Sequence, residues 1–326
     1  MKKNVQGLDA KLESPATEAK LTEVSKENSA NIQEQRKAAA AAAAAAVTSP
    51  PTAPSASALS RPLKAVRQRN SFTVCISKDQ KKPVINGVQL LPGGKVLLAD
   101  RINVCVQLFD TQGQHLHIME CRSPPCLLAV LDSSSIRHAV AVTLPFCSGI
   151  DLLEVTGDNM KVKRTLQTSR GYDAVAAVNN QTLAVGCWRA FGIDLIDLGG
   201  QVLRQICSSV HPNYMVTTED GHLMCSTYDD TIAQVQMDTG TIVFDKSVPQ
   251  IQDPRGVAIT SDGSILVTDG RNKTLHLVSS QGAWIRQLWS EPSDIDKGGR
   301  LQCVSTDGCI CVCVTGHGSV YIFDCV

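Results

Sequence analysis

Aromatic residues are scarce: six Phe, three Trp and four Tyr in 326 residues. No apolar run reaches 18 residues and no charged-then-apolar leader opens the chain, so neither a membrane span nor secretion is expected. Residues 1–70 hold no cysteine and no histidine, which leaves a zinc-folded module without ligands there. The 13 cysteines that follow lie mostly in apolar stretches and lack the Cys-x-x-Cys pairs with His partners of a zinc site. Cys309, Cys311 and Cys313 alternate, as residues on one face of a strand do. They read as small buried hydrophobes in a reducing cytosol, which predicts a cytoplasmic protein with no metal and no cofactor. Overall charge is also lacking, 31 basic against 31 acidic residues, but it is unevenly spread. Residues 1–70 carry 11 Lys/Arg and 6 Asp/Glu; residues 71–326 carry 20 and 25. An acidic globular part is not an obvious polyanion binder.

The chain divides by composition. Residues 1–47 are rich in Lys, Glu, Gln and Ala and end in the run Ala38 to Ala46. From Thr17 the propensity is helical, but Leu21, Val24 and Ile32 do not sustain a heptad seam. A frayed single helix is favoured over the end of a coiled coil, and oligomerisation through this segment stays open. Residues 48–70 form a Pro/Ser/Ala linker with a basic end at Arg61, Lys64, Arg67 and Arg69, read as solvated rather than as an import or nucleic-acid signal.

Residues 71–326 repeat. In Asp253–Trp289, four short apolar runs are separated by Ser261-Asp262-Gly263, Asp269-Gly-Arg-Asn272 and Ser280-Gln-Gly282, the pattern of half-buried antiparallel strands. The first turn of this unit recurs at Gly93, Ser134, Asn180, Asp220, Asp262 and Asp307, at intervals of 41, 46, 40, 42 and 45 residues. Six units of this size, with no helical period between them, predict an all-β, six-bladed β-propeller of four-stranded antiparallel blades. The sixth unit has only three strands, and one segment, Ser71–Ser77, is left over ahead of the first. Pairing it as the outer strand of the last blade closes the ring.

Asp253-Pro-Arg-Gly-Val-Ala-Ile-Thr-Ser-Asp-Gly263 with Val267-Thr-Asp-Gly-Arg-Asn272 resembles the NHL repeat. The first unit, with Leu98-Ala-Asp-Arg-Ile-Asn103, is a fair second match, and elsewhere only the strand pattern is kept. A helical segment and linker ahead of such a propeller look like the C-terminal part of tripartite-motif proteins, without their RING and B-box. The resemblance implies a propeller that binds a partner, in ubiquitin-ligase-related or post-transcriptional pathways.

With strands a to d counted outward, the a–b and c–d turns lie on one face and the b–c and d–a loops on the other. The first face is small and acidic, which is turn chemistry. The second is expected to present Arg101, Arg170, Tyr172, Trp188, Arg189, Phe191, Tyr214, Tyr228, Arg255, Arg271 and Lys273, together with Arg122, Phe146, His211, Lys297, Arg300 and His317. Six of the 13 aromatics fall there, and aromatics with Arg dominate contact energy at interfaces. The Asp100–Asn103 and Asp269–Asn272 pairs are expected to bond loop backbone. The main expectation is therefore a non-enzymatic adapter that binds a protein partner through this face. The alternative is single-stranded RNA, stacked on the aromatics and held by the arginines. A calcium-dependent propeller hydrolase is less favoured, because the inner strands offer mainly Val, Leu, Ile, Ala and Thr.

Overall fold

The computed structural model describes residues 62–74, 81–134, 137–207, 209–292, 301–307 and 310–326. The expectations for residues 1–47 and for most of the linker lie outside these, as do Lys297 and Arg300.

A first strand, β1 (Val66–Thr73), precedes the blades. Blade 1 holds β2 (Ile85–Leu91), β3 (Lys95–Asp100), β4 (Cys105–Asp110) and β5 (His115–Glu120). Blade 2 holds β6 (Leu128–Ser133), β7 (Arg137–Leu144), β8 (Gly149–Thr156) and β9 (Asn159–Gln167). Blade 3 holds β10 (Ala174–Ala177), β11 (Thr182–Cys187), β12 (Ala190–Asp197) and β13 (Val202–Cys207). Blade 4 holds β14 (Pro212–Thr217), β15 (His222–Thr227), β16 (Ile232–Gln236) and β17 (Ile242–Lys246). Blade 5 holds β18 (Pro254–Ile259), β19 (Ile265–Asp269), β20 (Thr274–Val278) and β21 (Trp284–Ser290). Blade 6 holds β22 (Leu301–Thr306), β23 (Ile310–Thr315) and β24 (Ser319–Cys325). Each blade is a four-stranded antiparallel sheet, and the sixth takes β1 as its outermost strand, in the order β1-β24-β23-β22. The protein is a six-bladed β-propeller.

Neighbouring innermost strands touch in a closed ring, β2 to β6, β10, β14, β18, β22 and back to β2. Burial follows from this stacking. The second and third strands are covered by blades on both sides, so β19 (ILVTD) and β20 (TLHLV) are buried at every position. Fully burying a side chain such as Leu97 or Leu98 contributes about 1.5–3 kcal/mol. The outermost strands meet water: β9 (NMKVKRTLQ) is largely polar, and both it and the more apolar β21 (WIRQLWS) are mostly exposed.

Hydroxyls on second strands pin the inner ring. Buried Thr143 accepts from Leu127 N–H at 2.9 Å and donates to the Asp173 carbonyl of the next blade at 2.9 Å. Ser226 likewise accepts from Tyr214 N–H at 3.3 Å and donates to the Arg255 carbonyl. These bonds hold the starts of β6, β10, β14 and β18, where the loop face meets the channel.

The closing strand begins at Val66, five residues before the segment Ser71–Ser77 marked by the sequence. Arg67 and Arg69, placed in the linker by composition, pair with Asp324 of β24. A bulge between Gln68 and Asn70 then turns Phe72 inward against Phe109, with ring centroids 5.4 Å apart. Gly113 makes room for it: at φ +89, a Cβ there would lie 2.7 Å from the Phe72 ring. Leu63, just ahead of the strand, is buried with Leu266 and Phe323 between blades 5 and 6.

Candidate interaction face

The b–c loops and the starts of the innermost strands surround a depression of about 360 Å³ at the channel mouth. Arg101, Trp188, Tyr214, Tyr228 and Arg255 line it, so five of the expected contact residues come together. Phe146, Asn86, Cys126, Asp173 and Asn213 complete much of its wall.

The aromatic side is built by blades 2 to 4. Phe146 sits in a one-turn 3-10 helix, Pro145–Cys147, and is 61% exposed under the Arg101 guanidinium at 5.4 Å. Trp188 is 48% exposed and carries Arg189 over its ring at 4.9 Å. Phe191, His211 and Tyr228 form a continuous stack, with centroid distances of 4.9 and 4.8 Å. His211 Nε2 also bonds the Trp188 carbonyl, which ties the two loops together.

The remaining expected residues are placed differently. Tyr172 is a core residue, 1% exposed, donating to Asp194 Oδ2 at 2.6 Å. Arg170 pairs with the same carboxylate, stacked on the Tyr172 ring at 5.3 Å. Tyr214 and Arg255 lie within β14 and β18 rather than in loops, and Tyr214 is buried as the floor of the depression. Phe191 begins in β12. Arg271 is exposed and Lys273 pairs with Glu291 at 2.9 Å, both away from the depression. Arg122 pairs with Asp151 at 3.3 Å and Arg255 with Asp253 at 2.7 Å. Among the described residues, Arg101, Arg189 and Arg271 make no ion pair, so four of the seven Lys and Arg side chains named on this face are neutralised in place.

Asp173 is the residue that the sequence reading missed. It ends a d–a loop, where carboxylates resemble turn formers, yet it is 8% exposed and turned into the depression. Burial raises its pKa, opposed by the Trp188 N–H donated at 3.0 Å and by the charges of Arg101, Arg189 and His211. Burial, with the Asp173 charge, also pushes the Cys126 thiol up to about 12, so it stays protonated and is not a nucleophile. The Tyr228 hydroxyl is raised for the same first reason. Asp100 and Asp269 act as loop organisers, as the sequence suggests. Asp269 accepts from Gln252, Arg271 and Asn272 N–H and from Asn272 Nδ2. Among the described residues no cluster of three His, Cys, Asp or Glu is arranged for a metal, and no helix is long and apolar enough to cross a membrane.

The family pattern of the NHL repeat matches residues 252–276, the first half of blade 5. No curated protein sequence matches the chain. Among solved structures, a catalytically inactive virginiamycin B lyase from Staphylococcus aureus, crystallised with quinupristin, superposes with a TM-score of 0.56 at 12% identity. That match covers 79% of this chain and 99% of the lyase. Its selenomethionine form gives 0.54 at 12% identity over the same shares. A protein of unknown function from Bacteroides caccae gives 0.53 at 15% identity, over 64% of this chain and 82% of that one. At such identities the likeness is one of fold alone.

Proposed function

We propose that this propeller is a non-enzymatic interaction module that captures a segment of a protein partner on its b–c/d–a face. One observation carries the reading. Five of the twelve large apolar side chains left exposed among the described residues, Ile102, Phe146, Trp188, Phe191 and Tyr228, belong to this face, and Phe146, Trp188 and Tyr228 line its depression, whereas six of the others are spread over the outermost strands of four blades. Exposed aromatics rimmed by polar groups mark contact sites, and a rigid scaffold keeps the entropy cost of using them low. The anchor of the partner segment enters between Phe146, Trp188 and Tyr228, while Arg101 and Arg189 meet its polar rim. A cytoplasmic setting and a place in ubiquitin-ligase-related or post-transcriptional pathways go with this reading, by likeness to tripartite-motif proteins.

Single-stranded RNA is the second reading, because Arg101 and Arg189 are unpaired and lie over aromatic rings. The four ion-paired cations of the same face favour protein. Selection of a displayed random-peptide library on the full chain, with counter-selection on an Arg101→Ala/Trp188→Ala/Arg189→Ala variant, tests the first reading. Protein binding predicts peptides that the variant rejects. RNA binding predicts no enrichment, together with salt-sensitive retention of polyuridylate that the variant abolishes.

A further inference from the structure

A larger cavity, about 580 Å³, lies on the opposite side of Tyr214 and opens among the a–b turns. All six inner strands reach it, through Val88, Leu128, Val175, Met215, Val257 and Val304. Its volume is in the range that encloses a small organic ligand.

Two independent features define what it would hold. Among the described residues, the charged side chains on its wall are Glu219, Asp220 and Asp307, and no Lys, Arg or His lines it. Burial works against ionisation of Asp220, but the Thr218 hydroxyl and His222, whose Nδ1 lies 3.0 Å away at the rim, hold its carboxyl below the ordinary value. The second feature is Gln234 of β16. It is 8% exposed and faces this cavity, and its side-chain amide has no hydrogen-bond partner among the described residues. Its backbone is committed to the ladder with Met224 and Phe244, so only the side chain is left to meet a guest. The wall around it mixes Val and Met with Thr and Ser, and an amide without a protein partner at the cavity surface is open to a guest.

We propose that this cavity is a second binding site, for a small organic ammonium ion with an apolar body. The body packs on the Val and Met wall, Gln234 Oε1 accepts an N–H, and the carboxylates at the mouth supply the opposing charge. An anionic ligand would be repelled by that mouth, and a neutral one would gain nothing from it.

Calorimetric titration of the full chain with 2-phenylethylamine, against the isosteric 2-phenylethanol, tests this. The expected result is saturable binding of the amine, at least about tenfold tighter than the alcohol. Gln234→Leu should lose that binding while melting no lower than the parent. Glu219→Gln with Asp220→Asn, both on the exposed turn, should erase the preference for amine over alcohol. Equal binding of the two probes, absence of saturable amine binding by folded protein, or full amine affinity in folded Gln234→Leu would overturn the proposal. If Gln234→Leu does not fold, the paired turn variant decides alone.

Discussion

The Tyr214 hydroxyl donates a hydrogen bond to the carbonyl of Asn86, joining blade 4 to blade 1 across the central channel. These blades stand opposite each other in the ring, so one phenol spans the axis. Tyr214 borders both cavities and divides the aromatic depression from the acidic one. The channel thus holds two cavities with a common wall.

Tyr214→Phe keeps the ring and removes the bond. A hydrogen bond of this kind contributes about 1 kcal/mol net, so the urea midpoint should fall by a corresponding amount. An unchanged midpoint would mean that the bridge does not tie the ring.

Thr143→Val is close to isosteric and leaves the buried Leu127 N–H and Asp173 carbonyl without the hydroxyl they share. The expected cost is about 1–3 kcal/mol, with most of it restored in Thr143→Ser. A loss in Thr143→Ser with none in Thr143→Val would point to methyl packing instead.

Ring closure depends on β1. Phe72→Ala removes a half-buried ring from between Phe109 and the Gly113 turn, and should cost about 2 kcal/mol in chemical denaturation. Removing residues 62–73 bares the β24 edge and should produce aggregation, seen as a concentration-dependent rise in light scattering.

The architecture was legible because each blade repeats the same grammar, apolar alternation cut by turns such as Ser261-Asp262-Gly263 and Asp238-Thr-Gly240. The true start of β1 was hidden. VRQRN reads as linker until Arg67 and Arg69 meet Asp324, more than 250 residues away, and until the bulge at Gln68/Asn70 restores the inward phase of Phe72. The face was legible as a set of loops, but position in a loop does not give orientation. Tyr172 turns into the core toward Asp194, whereas Tyr228, on the same face, borders the depression. Asp173, Cys126 and Asn86 gave no local signal, since their role arises only where six blades converge.

Stability should fall in mild acid because of His276. The Trp284 indole N–H can only donate, and does so to Nδ1 at 3.1 Å, so the ring is neutral with its proton on Nε2 beside Thr274. Burial lowers its pKa below 6.5, although Asp269 pulls the other way, and burial with the Lys95 charge lowers His138 too. The unfolded chain then binds more protons than the folded one just below its own pKa. Stability is therefore complete above about pH 6.5 and declines as pH falls through that value. His276→Gln should flatten the decline in urea midpoint between about pH 7 and pH 5.5. A slope unchanged by the substitution would remove His276 as its source.

We propose the aromatic depression of the loop face as the contact surface. It is tested most directly by the dissociation constant of a library-selected peptide for the parent chain and for Trp188→Ala, with thermal melting measured alongside. Trp188 is half exposed, so its loss should leave the melting temperature nearly unchanged, within about 0.5 kcal/mol of stability, and weaken binding by at least about tenfold. Full affinity in folded Trp188→Ala, or peptide binding lost equally in Arg271→Ala outside the depression, would contradict it.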